Sequence, residues 1–169
     1  MQTKVLIVAA LMAFAEARFS QEGLVQSAVQ ALSDRGSPGA AGTDAGQTPG
    51  VLLAGANACA KLTLADKIVK DLGNTADVIA AAQKLVAAEK NFNPSAQSIP
   101  TICSDATLPV TLALRGITPL IDPAVVGADV ANALSAQTLK APLANNAGKS
   151  IADLLKLNGF SNFTAQAAA

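Results

Sequence analysis

Residues 59–103, CAKLTLADKIVKDLGNTADVIAAAQKLVAAEKNFNPSAQSIPTIC, hold both cysteines of the chain and its two clearest helical patterns. Apolar residues spaced three and four apart mark one face of a helix. Ala58, Leu62, Ala65, Ile68, Val69 and Leu72 fall on such a face, and Gly73-Asn74 supplies a left-handed stop. A second helix is expected to start at once. Thr75 is placed to cap it, Asp77 sits in the first turn where the helix dipole favours negative charge, and Val78, Ile79, Ala82, Leu85 and Val86 form the buried stripe. Phe92 closes that face, and Asn93-Pro94 ends the helix because proline pushes the residue before it out of the α region. Two helices joined by so short a break make a helical hairpin.

The rest of the stretch, PSAQSIPTIC, has two prolines, several hydroxyls and no helical period. It is expected to run extended across the hairpin and bring Cys103 to Cys59. A disulfide between them would constrain the unfolded chain by roughly 4 kcal/mol, a large share of a small domain's stability.

On the N-terminal side the first residues have the plan of a secretory signal. Lys4 precedes the apolar run VLIVAALMAFA, and Ala13-Phe14-Ala15 or Ala15-Glu16-Ala17 offers the small residues of a cleavage site. The run is too short to anchor in a bilayer, which takes about 20 apolar residues. Residues 1–17 therefore read as a signal peptide and the remaining chain as exported. The C-terminal TAQAAA lacks the apolar tail of a lipid-anchor signal.

Residues 18–35 carry Leu24, Val25, Ala28, Val29 and Leu32 at helical spacing, which predicts a short amphipathic helix. Residues 36–50, GSPGAAGTDAGQTPG, contain five glycines and two prolines and read as a flexible linker. The first helix is then a weakly docked, tethered segment, and Asp34-Arg35 marks a place where a propeptide could be cut. The compact helical domain is expected over residues 51–160, with 161–169 as a tail.

Beyond Cys103 the pattern is interrupted by proline. LPVTLALRGITPLIDP, residues 108–123, leaves room for one short helix between Pro109 and Gly116. Its alternation would also suit a strand, but no second strand candidate is evident to pair with it. Asp122-Pro123 reads as an N-cap and first helical residue opening AVVGADVANALSAQ, and Pro142 bars any continuation of that helix. The last helix is SIADLLKLNG, with Ser150 and Asp153 as a capping box, Ile151, Leu154 and Leu155 buried, and Gly159 as terminator. The expected fold is all-α, an irregular bundle of four to five short helices with one disulfide and a flexible N-terminal linker.

Chemistry is limited by what the chain lacks. It has no histidine, which removes Ser-His-Asp and Cys-His catalysis and histidine-ligated metals. No metal or organic cofactor is expected. The acidic pool comprises Asp66, Asp71, Asp77, Glu89, Asp105, Asp122, Asp129 and Asp153. Each has a plain role: Asp66 faces Lys70 one turn on, Asp77, Asp122 and Asp153 sit at helix starts, and the others read as solvated surface. With neither Trp nor Tyr, the usual stacking platforms for sugars and bases are missing. Gly148-Lys149-Ser150 mimics the end of a phosphate loop, but Leu143 stands where the first glycine belongs, so a helix cap is the reading. An enzyme is not expected.

The chain carries twelve basic and twelve acidic residues. Cutting before Arg18 removes Lys4 and Glu16, leaving eleven of each. The lysines do not cluster, so nucleic acid is not an expected partner. Asn162-Phe163-Thr164 is an N-glycosylation acceptor, expected in an exposed tail, whereas Asn93-Pro94-Ser95 is disqualified by its proline.

The runs AAQKLVAAEKNFNPSAQSIPTICSD, LRGITPLIDP and NGFSNFTAQ together resemble a group of small secreted ascomycete proteins of the cell surface or conidial wall, most without assigned function. The resemblance spans roughly residues 51–166 and supplies no catalytic motif. It implies a fungal source, export, and a wall-associated or host-facing role. Two functions of different class fit these features. One is a structural or interaction protein of the extracellular surface whose partners are wall or other extracellular components. The other is a carrier of an apolar ligand held between helices, where bundle sites lie.

Overall fold

The structure is a computed structural model and describes residues 21–92 and 98–169. The expected signal peptide and its cleavage site, and the Asn93-Pro94 stop, lie outside these residues. The described chain is mostly helical, with α1 (Gln21–Gln30), α2 (Ala40–Leu52), α3 (Ala60–Leu72), α4 (Ala76–Ala87), β1 (Thr101–Cys103), a 3-10 turn (Leu112–Leu114), α5 (Ala128–Thr138), α6 (Ile151–Leu157) and β2 (Thr164–Gln166). No helix among the described residues is long and apolar enough to cross a membrane.

The hairpin α3–α4 forms as its periodicity predicts. Leu62, Ala65, Ile68 and Leu72 of α3 and Val78, Ala82, Leu85 and Val86 of α4 are buried against one another. Gly73, with φ 96°, caps α3 through its N–H to the Val69 carbonyl. Thr75 stands at the N-cap of α4, but its hydroxyl donates to Asp77 Oδ1 at 2.5 Å instead of capping the backbone; that oxygen accepts from Val78 N. The helix ends at Ala87, five residues short of the expected Phe92. Its last carbonyls are claimed from outside: Ala87 O accepts from Leu120 N, and Ala88 O from Lys61 Nζ. Asn91 N donates to Leu52 O, so the chain after Ala88 runs extended over the end of α2.

The linker expected over 36–50 is instead the helix α2. Ala41, Asp44, Ala45, Thr48 and Leu52 recur at three- and four-residue spacing and are buried, while Gly46 and Gly50 have nothing nearby. Helix-interior glycine costs about 1 kcal/mol against alanine and interior proline about 3, so local preference opposes this helix. Packing outweighs it: α2 lies between α1 and α3, and buried Asp44 pairs with Lys67 of α3. The N-terminal helix is accordingly docked firmly, with Val25, Val29 and Leu32 in the core. The turn after it is tight, because Gly36 (φ 65°) lies against the Asp71 carbonyl where a β-carbon would collide.

The second half wraps the hairpin in irregular chain. Buried Ile117, Thr118 and Pro119 run extended along α5. Three polar residues of α5 bind that segment: Asn132 exchanges two bonds with Ile121, Ser135 Oγ donates to Thr118 O, and Thr138 Oγ1 accepts from Thr118 N. Helix α5 starts later than expected. Asp122 Oδ1 accepts from Ala124 N in a turn of its own, and the helix opens only after Gly127, φ 84°. Helix α6 has the predicted Ser150–Asp153 capping box.

The mostly helical expectation holds, with six α-helices among the described residues instead of four to five, and a small two-stranded parallel sheet is added to it, β1 with β2, in which Cys103 aligns with Gln166. The tail expected over 161–169 carries β2 and the buried ring of Phe163, 5.7 Å from the buried ring of Phe160.

Candidate functional site

The disulfide joins Cys59, just ahead of α3, to Cys103 at the end of β1, with Cα atoms 4.7 Å apart. Three remote segments meet there. Ser104 N donates to Gln166 O at 2.8 Å, Ala58 N to Gln166 Oε1 at 2.8 Å, and Asn57 Nδ2 to Ala167 O at 3.0 Å. The carbonyl of Gln166 lies 3.4 Å from Cys59 Sγ. The bond thus seats the C-terminal strand as well as closing the loop of the hairpin.

Beside the disulfide is a hollow of about 20 Å³ whose wall includes Lys61, Glu89, Lys90, Thr101 and Asp122. Lys61 is 5% exposed, and its Nζ donates to the Ala88 carbonyl at 2.5 Å. Burial, reinforced by the charge of Lys90 and opposed by Glu89, lowers its pKa to about 7. Lys90 reaches the Ala54 carbonyl at 2.6 Å and Thr101 Oγ1 at 3.0 Å, and partial burial lowers its pKa too. An amine neutral near pH 7 is a base and nucleophile in kind. The hollow, however, has the volume of a single water, and apolar side chains such as Leu62, Ile102 and Ile121 share its wall with the charged groups. A larger groove of about 340 Å³ opens on the surface between α2, α3 and the C-terminal alanines.

The residues of the acidic pool are mostly kept apart. Glu89 and Asp122 share the wall of the small hollow. Asp66, expected to face Lys70, instead accepts from Val110 N at 2.7 Å and Thr111 N at 2.8 Å. Arg115 completes the fixing of that loop by donating to the carbonyls of Pro109 and Thr107, which leaves Val110 and Leu112 exposed. Asp71 binds Lys67 at 2.6 Å. Asp77 also takes two bonds from Arg35; its Thr75 hydroxyl and the Arg35 guanidinium hold its pKa down at about 2. Thr107 lowers Asp105, and Ser150 lowers Asp153. Asp129 is exposed in the first turn of α5.

Asp44 falls outside the acidic pool, because residues 36–50 read as a linker. It is fully buried; Oδ1 receives Lys67 Nζ, and Oδ2 has no hydrogen-bond partner among the described residues. The signal that points to it is the spacing of Asp44 with Ala41 and Thr48 on one helical face.

Asn162 is half-buried and not in a free tail. Its Nδ2 donates to the Val126 carbonyl at 3.1 Å, Phe163 beside it is in the core, and Thr164 begins β2. Comparison of the chain with protein-family profiles, curated proteins and solved structures finds no match.

Proposed function

We propose that the protein is an exported, non-enzymatic chain that acts at the extracellular surface or in a cell wall by contacting other extracellular components. The observation that carries this reading is the Cys59–Cys103 disulfide at the meeting of three remote segments. Such bonds persist in oxidising compartments and are rare in reducing ones. A chain that seats its last strand against its disulfide relies on that compartment for its shape. The signal-like pattern of residues 1–17 and the resemblance to wall-associated secreted proteins support the same reading. The one-water hollow around Lys61 favours contact over catalysis, because a reaction needs room for substrate beside its reacting groups.

The test is to divide producing cells into medium, salt-released wall and covalently bound wall, and to measure mass and thiol state of the chain in each. Expected is an oxidised chain lacking residues 1–17, enriched in a wall fraction. Full-length chain with two free thiols inside the cell would overturn the reading. Recovery from the medium alone would replace wall contact with a diffusible role.

A further inference from the structure

We infer that Asn162 is an N-glycosylation site whose occupancy is set by a competition between glycan transfer and closure of the Cys59–Cys103 disulfide. This rests on the proposed export, since the glycan donor and its transferase work in the secretory pathway. The sequence supplies the acceptor Asn162-Phe163-Thr164, and although the Thr164 side chain is exposed, the fold holds the segment in place at each of its residues. Asn162 Nδ2 is bonded to the Val126 carbonyl, the Phe163 side chain is 8% exposed against the core, and Thr164 N donates to the Pro100 carbonyl at 2.9 Å. A transferase must draw the acceptor into its own cleft as a free, extended segment. The seated strand offers no such segment, so transfer has to come before β2 docks.

Docking of β2 is tied to the disulfide. Cys103 is the register partner of Gln166, whose carbonyl also lies against Cys59 Sγ and whose side chain accepts from Ala58 N. Closing the disulfide therefore builds the surface that β2 pairs with, and removes the acceptor from reach. While the thiols are free, β1 and the start of α3 lack their covalent link, and the docking of β2 rests on hydrogen bonds and apolar contacts alone.

In the transfer a bond forms between Asn162 Nδ2 and the anomeric carbon of an oligosaccharide carried on a polyprenyl diphosphate. The bond from that carbon to the diphosphate oxygen breaks, the diphosphate leaves with the electron pair, and one amide proton passes to a base of the transferase. The second amide N–H remains on Nδ2 and can still donate to the Val126 carbonyl, so the modified chain can reach the same fold.

The experiment expresses the full chain in eukaryotic secretory cells, once with its own first residues and once behind a heterologous signal. Glycosidase-sensitive mobility and the mass of the peptide containing Asn162 are read in each. Expected is a minor glycosylated band under oxidising conditions that becomes the major band with dithiothreitol or in Cys103→Ser. Gln166→Ala keeps both cysteines, loosens the strand, and should also raise occupancy; Asn162→Gln should abolish the shift. Absence of glycan in every arm behind the heterologous signal would overturn the inference, as would equal occupancy with and without the disulfide. Entry with the heterologous signal but not with the native residues would count against the export reading and leave the site standing.

Discussion

Lys61 and Asp77 show how single side chains tie this fold to pH in the same sense but in different windows. Lys61 has a folded pKa of about 7 against an ordinary 10.5, so between those values the unfolded chain binds the extra proton and stability rises with pH. Below about pH 7 both states are protonated and the gain is gone. Denaturant melts from about pH 7 to 10 should show this rise, and Lys61→Met should flatten it; parallel slopes for the two proteins would refute the assignment. Asp77 acts in the acid range, held at about 2 from 3.8, so its stabilising contribution is present above 3.8 and lost as the pH falls toward 2, and here too stability rises with pH. A carboxyl-detected NMR titration should place its midpoint near 2, and Thr75→Ala and Arg35→Gln should each raise it, because the Thr75 hydroxyl and the Arg35 guanidinium both favour the carboxylate. The place of Asp77 in a helix first turn was readable from sequence. Burial of Lys61 was not, since a lysine two residues past a cysteine reads as surface until the extended chain from Ala88 and the 119–122 segment close over it.

Among the elements, α2 is the one that local preference gets wrong. Its amides from Ala45 to Leu52 should be protected in hydrogen exchange, apart from Pro49, which has none. Immediate exchange of those amides would restore the linker reading. Ala45 is fully buried between neighbouring helices, so Ala45→Leu should cost about 1–3 kcal/mol by overpacking, where a linker would tolerate it. The capping box of α6 is the converse case, in which four residues specify their own geometry and packing only uses it. Ser150→Ala should cost about 1 kcal/mol in a chemical melt. Helix α4 lies between these two. Its start and buried stripe come from its own residues, but its end at Ala87 depends on Leu120 and Lys61, which approach from elsewhere in the chain.

At the scale of the whole molecule the disulfide connects the hairpin to the last strand. Replacing Cys59 and Cys103 by alanine should lower stability by about 4 kcal/mol in urea and release β2, seen as loss of amide protection at Ser104. An unchanged urea midpoint would mean the bond constrains little. The sequence by itself determined the helical hairpin, the capped last helix and the pairing of the cysteines. In each case the information is local: a 3.6-residue period, a cap at fixed spacing, or two cysteines and no others. Only the tertiary structure decided that a glycine-rich segment is a helix, that the C-terminal residues form a strand, and that Asp66 holds a loop instead of a neighbouring lysine. Those outcomes depend on partners far along the chain: Lys67 for Asp44, Cys103 for Gln166, Val110 for Asp66. A short strand or a helix of small residues gains its stability from contacts made across the fold, and its own sequence carries little of that free energy.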